Sequence, residues 1–175
     1  MVADSTFELR RAAPKDLDAV LALFDDAVAW LVANGNTGQW GTEPFSQIPA
    51  RVEKMQSWLA EDGAWVAERD GLGLCGAIIL GEAHDFVPAA TGEELYVRVL
   101  IGSRRPEGKG VGRFLLGFAD DEANRLGVPL LRVDCYGGGQ GDLVRFYESA
   151  GYERTETFKV KEWPGQILER RLAVS

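Results

Sequence analysis

Arg104-Arg105-Pro106-Glu107-Gly108-Lys109-Gly110-Val111-Gly112-Arg113 is the stretch on which the reading of this 175-residue chain turns. Pro106 and three alternate glycines form no regular element. They read as a tight loop whose backbone amides are left bare by the missing side chains. Directly after it, Val111, Phe114, Leu115, Phe118, Ala119, Ala123 and Leu126 recur at helical spacing. Gly127 and Pro129 stop that helix. The first amides of a helix have no internal acceptor, and the dipole makes that end positive. A glycine loop opening a helix is therefore an anion site suited to phosphate. Arg104, Arg105, Lys109 and Arg113 surround it with positive charge, although the chain carries a net charge of −8.

Two phosphate motifs are excluded by spacing. A Walker loop needs Ser or Thr after its Gly-Lys, and none stands there. The dinucleotide fingerprint would need a third glycine at position 115, which is Leu115. A nucleotide hydrolase fails on the same ground. A second stretch lies downstream: a strand over Leu131-Arg132-Val133-Asp134-Cys135-Tyr136, a glycine-rich loop with Gln140, then a short helix carrying Tyr147 before Gly151 and Tyr152.

Together these stretches resemble the two signatures of the GNAT acetyltransferase superfamily. The first is Gln or Arg, two residues, Gly, one residue, then Gly or Ala, which Gly110 and Gly112 complete. Glu107 replaces the expected Arg or Gln, and Arg104 or Arg105 supplies positive charge nearby. The second signature is a strand, an Asn, a short helix, then Tyr, three residues, Gly and an aromatic. Tyr147, Gly151 and Tyr152 match it, and Gln140 stands for the Asn. The resemblance spans roughly residues 95 to 155 and implies acetyl-CoA as cosubstrate. Its diphosphate would be held by Arg105, Gly108, Lys109, Gly110, Val111, Gly112 and Arg113, with Gln140 nearby. Its pantetheine arm would pair with the strand edge at Leu100, Ile101 and Gly102, where two strands splay. A main-chain amide near Leu100 would face the developing oxyanion, and Tyr147 would return a proton to the thiolate.

The remaining chain completes an α/β (α+β) reading. Strands are expected at Phe7 to Arg11, Ala64 to Arg69, Leu74 to Gly81, Glu93 to Gly102, Leu130 to Tyr136, Tyr152 to Lys161 and Gln166 to Leu172. Amphipathic helices are expected from Pro14 to Asn34 and from Ser46 to Gly63. The last two strands would turn at Trp163-Pro164-Gly165. The order mixes hairpins with crossovers, so the expectation is one domain over residues 1–175. It holds a mixed, mostly antiparallel sheet of about six or seven strands with helices on both faces.

Acyl transfer to an amine sets further needs. A lysine-like amine is less than about 0.1% neutral at pH 7, so a base, water chain or desolvation must help. The two-residue period puts Glu94, Tyr96 and Arg98 on one face of a strand, and Glu94 is the first candidate base. Its plainer role is a charge at a strand end. Asp134 and the single histidine, His84, are further candidates near the acceptor. Gln39 and Trp40, in the loop after the first helix, join Tyr96, His84 and Asp134 as acceptor-site residues; the plainer role of Trp40 is to cap the core. Cys75 and Cys135 lie in apolar runs and read as buried free thiols rather than a disulfide. Net negative charge argues against nucleic-acid binding. No apolar run reaches membrane length and no signal peptide is visible, so a cytoplasmic protein without membrane partners is expected. No metal is expected. The acceptor reads as a small-molecule amine. A protein N-terminus or lysine is the runner-up, and a non-catalytic acyl-CoA-binding or sensing domain is a rival of another class. A homodimer is compatible with the resemblance.

Overall fold

The structure is a computed structural model and describes residues 7–173. Its strands are β1 (Phe7–Arg11), β2 (Ala64–Arg69), β3 (Gly73–Gly81), β4 (Leu95–Gly102), β5 (Leu130–Tyr136), β6 (Glu153–Val160) and β7 (Trp163–Arg171). Its helices are α1 (Leu17–Ala33), α2 (Pro49–Leu59), α3 (Val111–Leu126) and α4 (Asp142–Ser149). The sheet order is β1-β2-β3-β4-β5-β7-β6. β1 with β2, β2 with β3, β5 with β7, and β6 with β7 are antiparallel, and β4 with β5 is parallel. This is the mixed, seven-stranded architecture expected from the sequence. The chain divides into two compact units: residues up to Ile79 with Val99–Leu115, and Leu80–Arg98 with Leu116 onward.

In the first unit, α1 presents Val20, Leu21, Phe24, Val28 and Leu31 at three- and four-residue spacing, and all are buried. Val20, Leu21, Phe24 and Val28 share one core cluster with Met55 and Leu59 of α2 and with Val66, Ala77 and Ile79 of β2 and β3. α2 is shorter than the expected Ser46-to-Gly63 helix. A 3-10 turn occupies Phe45–Gln47. The Ser46 N–H and hydroxyl both donate to Asp25 of α1, at 2.8 and 2.6 Å, so Ser46 is tied to α1 instead of opening α2. Pro49, which needs no N–H acceptor, opens it.

The start of α1 is fastened by charge. Asp16 accepts from the Arg10 guanidinium at 2.8 and 2.9 Å and from the Ala13 N–H at 2.8 Å. The Arg10 hydrogen bonds foremost, then the Ala13 amide, hold the carboxyl below its ordinary range although burial opposes them. The folded state thus prefers the ionised form. The stabilisation is complete above the unfolded value of about 4 and is lost as pH falls through the lower folded value. Asp16→Asn should flatten the acid side of a stability-against-pH curve measured by urea unfolding; an unchanged slope would show that Asp16 contributes nothing there.

In the second unit, β7 lies between β5 and β6 and pairs with Leu130 to Tyr136 along its length. The parallel ladder of β4 and β5 is short: Leu95, Tyr96 and Val97 stand opposite Leu131, Arg132 and Val133. The last hairpin differs from expectation. It turns at Lys161 and Glu162, with Lys161 at φ 57°, and Trp163-Pro164-Gly165 belongs to β7 opposite Val160, Lys159 and Phe158. A Cβ on Gly165 would come within 2.2 Å of the Phe158 ring. The glycine that looked like a turn residue is there to let an aromatic lie across the strand. Among the described residues, no helix is long and apolar enough to cross a membrane.

Candidate active site

The first unit carries the glycine loop. The Ser103 N–H donates to the Cys75 carbonyl at 2.7 Å, which pins the end of β4 to β3. The Ser103 Oγ accepts from the Arg105 N–H at 3.1 Å. Pro106–Gly108 then make a 3-10 turn in which the Gly108 N–H reaches the Arg105 carbonyl and the Lys109 N–H the Pro106 carbonyl. Gly108 is needed for close approach, since a Cβ would stand 2.7 Å from that of Ser103. Gly110 takes φ 93°, a conformation that L side chains rarely adopt. The first helical closure is Phe114 N–H to the Gly110 carbonyl at 3.0 Å.

The amides expected to be bare, Gly108 through Arg113, are therefore not all so. Those of Gly108 and Lys109 are committed to the 3-10 turn. Among the described residues, the N–H groups of Gly110, Val111 and Gly112 meet no acceptor, as the opening of a helix requires. The helix start is fixed from below. A Cβ on Gly102 would stand 2.6 Å from Val111 Cγ1, and one on Gly76 would stand 2.8 Å from Val111 Cγ2. The side chains of Arg105, Lys109 and Arg113 are exposed around the loop, and Arg104 lies over the Trp30 ring at 3.9 Å. Exposed Glu107, the departure from the family pattern, offers its main-chain carbonyl to Arg69. Bare amides, an exposed left-handed glycine and flanking cations fit a diphosphate. Leu100 and Gly102 are half-buried and Ile101 is buried.

Trp40 packs on Phe24 and Phe45, with ring centroids 5.1 and 6.2 Å apart, so it caps the core of this unit. Gln39 beside it is half-buried.

The second unit carries the titratable groups. Tyr147 on α4 is 5% exposed and meets Phe146 and Tyr152 edge-on. Burial foremost, then the neighbouring Cys135, Tyr152 and Asp134, push its phenol well above the ordinary value, so it holds its proton. Cys135 is buried, and its thiol is pushed up to about 12 by burial and by Asp134. It is a packed thiol and no nucleophile. Tyr96 is fully buried and its hydroxyl donates to Asp134 Oδ1 at 2.7 Å. Burial raises the Asp134 carboxyl, while the Tyr96 hydrogen bond and the charge of His84 work against that rise. The His84 ring stacks on Phe86 and meets Tyr96 edge-on at 5.8 Å.

Glu94 is placed differently from its expected role as base. It precedes β4, and both its oxygens are taken by Arg132, at 2.5 Å from Nε and 2.9 Å from Nη2. Arg132 has a side chain 7% exposed and lies over the Tyr96 ring at 5.5 Å. A buried guanidinium needs this carboxylate, which leaves Glu94 as a structural counter-ion. Gln140 is exposed in the loop before α4, where its carbonyl accepts from Arg145 at 2.6 Å. Tyr96, His84 and Asp134, three of the residues expected at the acceptor site, lie together; what sequence reasoning missed is the hydrogen bond that joins Tyr96 to Asp134. The two-residue period put Glu94 and Tyr96 on one face, but the β4–β5 register that brings Asp134 to Tyr96 leaves no local signal. Among the described residues, no group of three or more His, Cys, Asp or Glu is arranged to hold a metal ion.

Tyr152 gives a stability test. Its hydroxyl is buried and, among the described residues, meets no hydrogen-bond partner. Tyr152→Phe should keep or raise stability, by up to about 1 kcal/mol, because an unsatisfied buried donor is costly. A clear drop in thermal melting would contradict this.

No curated protein matches the chain. Its fold is similar to solved acetyltransferases. A GNAT superfamily phosphinothricin acetyltransferase from Sinorhizobium meliloti, solved in complex with acetyl-CoA, is 17% identical, with 96% of this chain and 89% of that one covered and a TM-score of 0.66. A ribosomal-protein-alanine N-acetyltransferase from Brucella melitensis is 24% identical over 94% and 99%, with a TM-score of 0.63. Ard1 from Thermoplasma volcanium is 14% identical over 97% and 99%, with a TM-score of 0.68. The model of the acetyltransferase (GNAT) family matches residues 24–152, well over half the chain, and the protein is therefore a member of that family.

Proposed function

We propose that the chain, as one catalytic domain over residues 1–175, is an acetyl-CoA-dependent N-acetyltransferase acting on a small-molecule primary amine, by direct attack within a ternary complex. The observation that carries this reading is the set of three bare amides, Gly110 to Gly112, at the head of α3 with Lys109 and Arg113 exposed beside them. That arrangement suits an anion of the diphosphate kind. When bound, acetyl-CoA supplies an acetyl group activated as a thioester. The chain's own residues do the rest. The loop amides hold the phosphates. Tyr147, which keeps its proton, gives it to the departing sulfur and regains one from water. Cys135 takes no acyl group because its thiol stays protonated, which favours direct attack over a covalent relay. Glu94 serves structure and leaves the acceptor's proton to another group.

The test is thiol release from acetyl-CoA across a panel of amines, with small primary amines, amino acids and peptide N-termini as its arms. Release with a small amine supports the reading. Release with peptides alone moves it to protein acetylation. A rise in melting temperature with acetyl-CoA but no thiol release on any amine makes the chain a sensor.

A further inference from the structure

We propose that Asp134 both anchors and deprotonates the acceptor: its carboxylate receives the substrate ammonium and takes its proton, and the Tyr96 hydroxyl holds that carboxylate in place. The inference rests on the reading above and names the group that its amine meets. Tyr96, Asp134 and Tyr147 all belong to the second unit of the chain.

Asp134 stands on β5 between buried Val133 and buried Cys135 and is itself half-buried. The Tyr96 hydroxyl donates to its Oδ1 at 2.7 Å. Tyr96 is fully buried, and the parallel ladder sets it opposite Arg132, so two paired strands fix the bond at both ends. Among the described residues, no other side chain donates to this carboxylate, and no lysine or arginine pairs with it. Arg132, two residues back on the same face of β5, is taken by Glu94 through two hydrogen bonds. A carboxylate drawn partly out of water and given no cation is costly to a fold. Burial accordingly lifts the Asp134 carboxyl, against the Tyr96 bond, the charge of His84 and its own N–H. An incoming ammonium supplies the missing partner, and a carboxyl lifted in this way takes a proton more readily than an ordinary one. Asp134 also adds to the rise of the Tyr147 phenol, so acid and base stand within electrostatic reach of each other. The charged or titratable groups around Asp134 are therefore Tyr96, His84, the Arg132–Glu94 pair, Cys135 and Tyr147. From β7, apolar Ile167 stands opposite it.

The step balances. One proton leaves the ammonium for the Asp134 oxygen that Tyr96 does not use, and passes to water. The freed nitrogen pair forms the C–N bond, and the C–S pair leaves with sulfur. The nitrogen sheds a second proton, equal to the one that Tyr147 gives to sulfur and recovers.

The experiment reads kcat/KM against pH for the full chain, with acetyl-CoA and the amine that turns over in the panel. The wild type should show an acid limb set by the Asp134 carboxyl. Asp134→Asn keeps the shape of the side chain and an acceptor for the Tyr96 hydroxyl. It should lower kcat/KM about 100-fold at pH 7 and abolish the limb, with acetyl-CoA affinity and melting temperature unchanged. Tyr96→Phe removes a bond that favours the ionised carboxylate, so the limb should move to higher pH while much of the activity remains. Tyr147→Phe should keep the limb. Wild-type kcat/KM in Asp134→Asn, or an acid limb intact in it, overturns the role of Asp134 alone and leaves acetyl transfer standing. Should Asp134→Asn melt below the wild type, the Tyr96→Phe shift decides the point: a limb that stays in place overturns the assignment. No thiol release by the wild type on any amine overturns the functional reading beneath it, and this inference with it.

Discussion

Tyr147→Phe should lower kcat about 100-fold or more and leave the affinity for acetyl-CoA nearly unchanged. The magnitude is that of a lost general acid. The reason lies in the burial of the phenol. Tyr147 is 5% exposed, and burial together with Cys135, Tyr152 and Asp134 holds its proton in place. A phenol that stays protonated across the working range is always present as a donor, and it can share its hydrogen with the sulfur as negative charge builds there. The Phe146 and Tyr152 edge contacts use the ring, which phenylalanine keeps, so the fold should hold. Steady-state kinetics with an acetyl-CoA titration separates the two effects. Unchanged kcat would reduce Tyr147 to a packing residue.

Glu94→Ala should cost about 3 kcal/mol in stability, the low end for breaking a buried pair, because Glu94 retains some exposure. Arg132 would be left 7% exposed with no carboxylate, under the Tyr96 ring. Replacing both partners by apolar residues, Glu94→Leu with Arg132→Met, should recover much of the loss. Urea unfolding measures both. If Glu94→Ala is stable and instead loses the acid limb of kcat/KM, Glu94 is the base and the structural reading fails.

What the sequence disclosed follows from the range of the signals. The glycine loop and α3 are local. Gly110 needs its left-handed backbone, and Val111, Leu115 and Ala119 mark the buried face, so helix and loop are legible residue by residue. The strands carry alternation or continuous apolar runs and were placed within a few residues. The errors share one cause: a side chain answering to a distant partner. Ser46 looked like a helix start and is held by Asp25. Trp163-Pro164-Gly165 looked like a turn, but Phe158 lies over Gly165. Glu94 looked like a base and pairs with Arg132, a residue 38 positions away. The Tyr96–Asp134 bond has the same separation and was equally hidden. Even within the loop, the 3-10 turn that uses the amides of Gly108 and Lys109 was not foreseen.

The most direct measurement is an amide ¹H–¹⁵N titration with acetyl-CoA. The N–H signals of Gly110, Val111 and Gly112 should move downfield together as the diphosphate accepts from them, and CoA alone should reproduce the shifts. If acetyl-CoA binds while these three signals stay where they are, the anion site is elsewhere and the account is contradicted.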